Sequence, residues 1–367
     1  MQPDVVVVGA GPAGIATAIA ARLKGFRVTV FESRKPPIDK TCGEGLLPGG
    51  VASLWELGVE IPPGAAIPFK GVRFCGGGVC AEAAFPNGEA YGLRRTVLHS
   101  LLTERATAAG VRFVWGARIS AIRADCVEVD GERVSFRWLI GADGQNSMVR
   151  RSAGIDMRQR GRLRFGFRRH YEIAPWSDRV EVHWGERCQM FLTPTGAKEI
   201  CVVLLTSDPR VRIGGALREF PEIVKRLEGA RALTEETGAA SILRQARKVV
   251  RGRTALVGDA SCALDGIAGQ GLSLAFEEAV ALGEALSRED LASYATAHER
   301  ITANAVRMTR LLLLMDSRAW VKRRVLRLFA KRPEIFARML AAHAQEGSGG
   351  ELNAAEVMNL GWRVLWA

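Results

Sequence analysis

The sequence predicts an α/β chain: a discontinuous domain of βαβ construction around a parallel sheet, an inserted domain of mainly antiparallel β-sheet, and a helical C-terminal segment. Three observations predict it. Val5–Val8 is a β-branched run that leads directly into Gly9-Ala10-Gly11-Pro12-Ala13-Gly14 and then into an alanine-rich stretch without a breaker. Between residues 162 and 250, strand-length segments rich in β-branched, aromatic or alternating residues follow one another. After residue 300 the pattern is helical. The expected division is 1–67, 94–161 and 251–300 for the first domain, 68–93 and 162–250 for the insert, and 301–367 for the helical region.

The first strand, buried on both faces, is followed by a helix over Ile15–Lys24. Gly25 ends the helix, and Arg27–Phe31 forms a second strand closed by Glu32. Gly9 permits the tight turn, Gly11 removes the side chain that would block a pyrophosphate, and Gly14 lets helix and strand pack closely. The helix start, with Pro12 and Ala13, offers free amides and a positive dipole end to phosphates. Glu32 lies 21 residues after Gly11, where a carboxylate can accept the hydroxyls of an adenosine ribose. This is a dinucleotide-binding unit.

Two later segments repeat the strand-then-glycine logic. Leu139-Ile140-Gly141-Ala142-Asp143-Gly144 ends one strand. Thr254–Val257 runs into Gly258-Asp259-Ala260, followed by Gly269-Gln270-Gly271-Leu272 and a helix over Ser273–Leu286. A carboxylate at a strand end can hold ribityl hydroxyls, and a glycine pair opening a helix again offers amides.

These motifs, in this order, resemble the FAD-dependent hydroxylase and geranylgeranyl reductase superfamily, which shares the fold of para-hydroxybenzoate hydroxylase. The resemblance covers roughly residues 3–300 and includes Arg95-Thr96-Val97-Leu98, similar to the family's Arg-x-x-Leu helix start. It implies a Rossmann-like, glutathione reductase-type domain holding FAD. It places Arg95 by the flavin side chain, Asp143 and Asp259 as the two family aspartates, and Gly258, Gly269, Gly271 and Leu272 beside the cofactor. Ser33 and Arg34 follow Glu32, with Arg34 matching a family arginine near the adenosine. Ile119 sits where a family strand passes the adenine. Lys40-Thr41-Cys42-Gly43-Glu44-Gly45-Leu46 resembles the Cys-Gly-x-Gly segment of the reductase branch, which would bring Cys42, Gly43 and Gly45 to the flavin; Cys42 reads equally as a small buried filler. Asp265 stands where aromatic hydroxylases more often have proline. Gln189-Met190-Phe191-Leu192-Thr193-Pro194 keeps only the proline of that branch's Tyr-x-Trp-x-Phe-Pro.

In the insert, a hairpin is expected around Gly76-Gly77-Gly78, with strands over Arg164–Glu172, Arg179–Trp184, Cys188–Leu192 and Glu199–Leu205. The sheet would cover the flavin, with the pocket between the domains. Candidate pocket residues are His170, His183, Phe191 and Asp265. Either histidine could serve as acid, base or donor, or be an ordinary satisfied sheet residue. No residue is assigned as the catalytic acid or base. Arg158–Arg169 holds six arginines, open to an anionic or NADPH phosphate group or to solvent.

Composition narrows the function. The seven cysteines are scattered, and with no export signal at Met1 they read as reduced thiols in a cytoplasmic chain; no metal site is expected. No apolar run reaches a membrane-spanning length of about 18 residues. The net charge is +12, and residues 316–340 hold eight Lys or Arg against two acids. No nucleic-acid-binding signature accompanies this charge. Trp320, Val321, Val325, Leu328 and Phe329 share a helix face beside Lys322, Arg323, Arg324, Arg327, Lys331 and Arg332. Residues 318–332 therefore read as a peripheral contact with the inner membrane face or as a helix packed on the flavin domain. Gln345–Gly350 reads as a linker, with Trp362 and Trp366 beyond it.

The leading expectation is an FAD-dependent monooxygenase that hydroxylates or epoxidises an apolar, aromatic, polyketide or lipid-like small molecule. NADPH or NADH would be a transient reductant, since no second fingerprint exists for a stable nicotinamide site. The alternatives are a reductase of prenyl or other C=C bonds and, from another class, a non-catalytic membrane-associated flavin-binding or electron-transfer protein.

Overall fold

The computed structural model describes residues 2–344; the expected linker and the Trp362 and Trp366 segment lie outside them. In chain order the principal elements are β1 (Val5–Val8), α1 (Pro12–Leu23), β2 (Val28–Glu32), α2 (Pro48–Glu56), β3 (Gly71–Gly76), β4 (Val79–Ala84), α3 (Arg95–Ala108), β5 (Arg112–Trp115), β6 (Ile119–Ile122), β7 (Cys126–Val129), β8 (Glu132–Ser135), β9 (Trp138–Gly141) and α4 (Met148–Ser152). There follow β10 (Met157–Glu172), β11 (Val180–Trp184), β12 (Cys188–Gly196), β13 (Glu199–Thr206), β14 (Thr237–Ala246), β15 (Thr254–Leu256), α5 (Gly271–Ser287), α6 (Leu291–Ser317), α7 (Ala319–Lys331) and α8 (Pro333–Ala344).

A six-stranded sheet runs in the order Val250–Arg251, β15, β9, β1, β2, β5. Its pairs are parallel except that of Val250–Arg251 with β15. Parallel sheets need both faces covered. Ile15, Ile19, Phe276 and Leu282 of α1 and α5 pack on one face, while Phe136, Val127 and Val149 close the other. Strands β6 to β8 form a small antiparallel sheet.

The second large sheet has β14, β10, β13, β12, β11, β3 and β4 in sequence, with Cys262–Ala263 on the β14 edge. It is antiparallel except for β11 against β3. One face packs on Ile213, Phe220 and Ile223. The other carries a row across four strands: Phe74 opposite Val182, Val182 opposite Phe191, and Phe191 opposite Val203. Strand β14 was not anticipated, because Gly238-Ala239-Ala240-Ser241 carries no β-branched signal.

Two expectations are corrected. Cys75 and Cys80 face each other across the β3–β4 hairpin and form a disulfide, so these two are not reduced thiols. Helix α7 packs on the second sheet rather than on the flavin domain: Leu326 joins Val182 and Trp184, and Phe329 joins Ala81 and Ala83. Its buried face also differs from the expected one. Trp320 points outward, whereas Lys322 is buried with Nζ donating to the Gly185 carbonyl.

Candidate functional site

A cavity of about 1120 Å³ runs between the two sheets from the glycine turn after β1 to a chamber under α6, α7 and α8. Gly9, with φ +103°, makes the turn, and a Cβ there would lie 2.5 Å from the Ala142 oxygen. At Gly14 a Cβ would lie 1.9 Å from the Gly9 oxygen, so helix and strand depend on its absence. Gly11 opens α1 without a side-chain cap, and a Cβ there would meet nothing within 4 Å. The first-turn amides of α1 therefore face open space, as a pyrophosphate requires. The same openness holds at Gly43, Gly269 and Gly271.

Glu32 closes one end of the turn. Its carboxylate accepts from the amides of Ala10 at 2.9 Å and Arg34 at 3.0 Å and from the Ser33 hydroxyl at 3.2 Å. Arg34 pairs with Glu32, and Ile119, Ser33 and Arg34 line the same end of the cavity. Arg95 opens α3; burial pulls its guanidinium down, and Nη1 is buried without a partner. Asp143 caps α4 through Oδ2, which accepts from the amides of Met148 at 2.6 Å and Val149 at 3.2 Å. Its Oδ1 is buried and unpartnered. These two polar atoms, left over on the cavity wall, suit a polar cofactor chain. Asp259 pairs with Lys40 at 2.7 Å.

All proposed cofactor residues line this cavity except Gly14, which works behind it. Cys42 lines it too; burial pushes its thiol up, which disfavours the thiolate. The pocket candidates divide. Phe191 and Asp265 are on the wall, while His170 and His183 are not. Side chains alternate along β11, so Val180 and Val182 take the cavity face and His183 the other, where it meets Glu181 at 3.0 Å. His170 lies one layer back, its Nε2 2.6 Å from Glu44 and its Nδ1 3.1 Å from the Thr234 hydroxyl. Asp265 is held by Arg164 at 3.1 Å and caps its own turn through the Ile267 amide.

The sequence reading missed three features. Glu44, in the left-handed region at φ +58°, accepts from the Arg95 amide at 2.9 Å and from Arg168 at 3.1 Å. Arg168 also grips Asp39 at 2.6 Å, which ties the 39–45 segment to the second sheet. Ligand-type atoms of Glu44, His170 and Cys201 lie within 4.8 Å of one another. That carboxylate is already engaged by Arg168, so the cluster is an ion-pair network. Finally, His343 donates from Nε2 to the Ala268 oxygen at 2.8 Å and lines the cavity; burial pushes it down to about 4, so its ring is neutral.

Comparison with known proteins agrees with this geometry. The FAD binding domain family matches residues 2–298, and the chain belongs to that family. It is 30% identical over 353 residues to the 12-dehydrotetracycline 5-monooxygenase/anhydrotetracycline 6-monooxygenase of Streptomyces rimosus, covering 84% of this chain and 69% of that protein. It is 37% identical over 162 residues to the menaquinone reductase of Mycobacterium tuberculosis, covering 41% and 40% respectively. The chain thus spans about two fifths of the length of the menaquinone reductases it matches. Among solved structures, the flavin-dependent brominase Bmp2, as a triple mutant, superposes with a TM-score of 0.77 at 18% identity, covering 100% of this chain and 99% of that one. The OxyS anhydrotetracycline hydroxylase from Streptomyces rimosus gives 0.75 at 25% identity, covering 94% and 76%. FAD is the cofactor of this family. Resemblance to the geranylgeranyl reductase branch finds no support among these relatives.

Proposed function

We propose that this protein is an NAD(P)H-dependent FAD monooxygenase that hydroxylates or epoxidises an apolar small molecule. The observation that carries the reading is the continuous cavity, polar and glycine-walled at one end and apolar at the other. The glycine turn, Arg95, Asp143, Asp259 and the Gly269–Leu272 segment would hold the cofactor. When bound, FAD supplies two-electron redox chemistry and reaction of its reduced form with oxygen. The chain's own part is to orient and to exclude water. Phe74, Val182, Phe191 and Val203 form an apolar floor, and α6, α7 and α8 close over it, so a substrate would meet the flavin in a dry chamber. The tetracycline monooxygenase relative supports an aromatic or polyketide substrate class.

A second reading, reduction of a quinone-like or prenylated substrate, is favoured by the identity to the menaquinone reductase. Among the described residues no helix is long and apolar enough to cross a membrane. Peripheral membrane contact through 318–332 belongs to the proposal and is supported by the basic outer face of α7. One assay tests the readings: NADPH oxidation with oxygen uptake over detergent-dispersed phenols, polyketides and prenylated quinones. Product formation coupled to oxygen uptake supports the monooxygenase. Anaerobic product supports the reductase, and no substrate-stimulated turnover leaves a binding or electron-transfer protein.

A further inference from the structure

The chamber has an apolar mouth at the corner between α6 and α7. Leu314, near the end of α6, lines the cavity and yet is 55% exposed. A residue that is both wall and surface marks an opening. Trp320, at the start of α7, is 44% exposed. Leu163, 44% exposed, belongs to the β10 segment whose Gly161 lies against Leu313. Large apolar side chains seldom gather on a soluble surface without something to cover them.

Along residues 307–331 the exposed charge has one sign. Arg307, Arg310, Arg318, Arg323 and Arg327 are exposed on α6, α7 and the link between them. Between residues 307 and 331 the only acid is Asp316. It is turned inward, where Arg164 and Gln189 engage it. Lys322, which counted toward the basic stretch, is spent on the Gly185 carbonyl and takes no part. Arg324 lies over the Trp320 ring at 5.6 Å, which joins the aromatic to the cationic rim.

An exposed tryptophan and leucines ringed by arginines match the boundary of an anionic bilayer, where the apolar groups enter the acyl edge and the cations meet lipid phosphates. We propose that the α6–α7 corner docks on anionic membrane and that an apolar substrate passes from the bilayer past Leu314 into the chamber. The proposal rests on the oxidoreductase reading for its substrate and on the surface alone for its docking.

The test uses the full-length FAD-loaded protein with vesicles of phosphatidylglycerol and phosphatidylcholine, against phosphatidylcholine alone. Sedimentation should show binding to the anionic vesicles that falls at least tenfold in high salt. The triple variant Arg318→Gln, Arg323→Gln, Arg327→Gln should lower binding at low salt by a similar factor. Trp320→Ser with Leu163→Ser should weaken it while keeping flavin content and melting temperature. Brominated lipid should quench fluorescence in the parent more than in Trp320→Phe. With a prenylated quinone embedded in the vesicles, the arginine variant should lose turnover but keep it on the detergent-dispersed compound. A protein that stays in the supernatant at low salt, or binds neutral and anionic vesicles equally, overturns the docking. Such a result with turnover intact in detergent leaves the oxidoreductase reading standing. Vesicle binding without turnover on any substrate removes that reading and with it the passage past Leu314, leaving the docking alone.

Discussion

A Cβ added at Gly11 would meet no protein atom within 4 Å, whereas one added at Gly14 would lie 1.9 Å from the Gly9 oxygen. Gly11→Val should therefore fold with a melting temperature near that of the flavin-free parent and purify without flavin. Gly14→Ala should be destabilised by about 1–3 kcal/mol, the usual penalty of overpacking. Absorbance at the flavin bands and a thermal melt check both, and a folded Gly11→Val protein that keeps full FAD would place the phosphates elsewhere. His343 supplies a pH prediction. Its folded value is pushed down to about 4 from an ordinary 6.5, so between these values the unfolded chain binds the extra proton. Stability should fall as pH drops from about 6.5 to about 4, by at most on the order of 3 kcal/mol. Glu277, pushed up to about 8 by burial, acts in the opposite sense. The difference between wild type and His343→Leu in denaturant melts at several pH values isolates the histidine, and a difference that is flat with pH would remove the claim.

The cross-strand row Phe74, Val182, Phe191, Val203 continues onto Arg168, which lies opposite Val203. The sheet thus passes from apolar floor to buried cation within one register. Arg168→Met should destabilise the protein by about 3–5 kcal/mol, because it strips a buried carboxylate of its partner. Urea unfolding measures this, and a loss below about 1 kcal/mol would show that His170 and the Arg95 amide suffice for Glu44. The glycine turn was legible in the sequence because its demands are local: a positive φ at Gly9 and empty space at Gly11 fall within one short segment. Register is not local. Which way His183 points depends on Val180 and Val182 taking the cavity face, and the pairing of Cys75 with Cys80 depends on where the hairpin turns. The exposed side of α7 was misread for a related reason. Periodicity separates apolar from charged residues, but it cannot show that Lys322 has a carbonyl waiting at Gly185.

At the scale of the molecule, cofactor and fold share one cavity, so occupancy and stability are linked. If FAD binds only the folded chain, a free concentration 100 times its dissociation constant should add about 2.7 kcal/mol. The melting temperature should climb with added FAD and respond far less to riboflavin, which lacks the pyrophosphate and adenosine. Equal effects from the two would mean that the glycine turn carries none of the affinity. The cradle also draws on residues from Gly9 to Leu272, and its first strand, β1, lies between β2 and β9, with β15 beyond β9. At synthesis rates of about 5–20 residues per second, Val5–Val8 leaves the ribosome on the order of tens of seconds before Gly271 is made. The strands on both its edges, β2 and β9, are made within that interval, but α5, which covers one face together with α1, is not. The newborn chain can therefore pair β1 with β2 and β9 early, while the full cradle for the flavin exists only once the segment after β15 has been made.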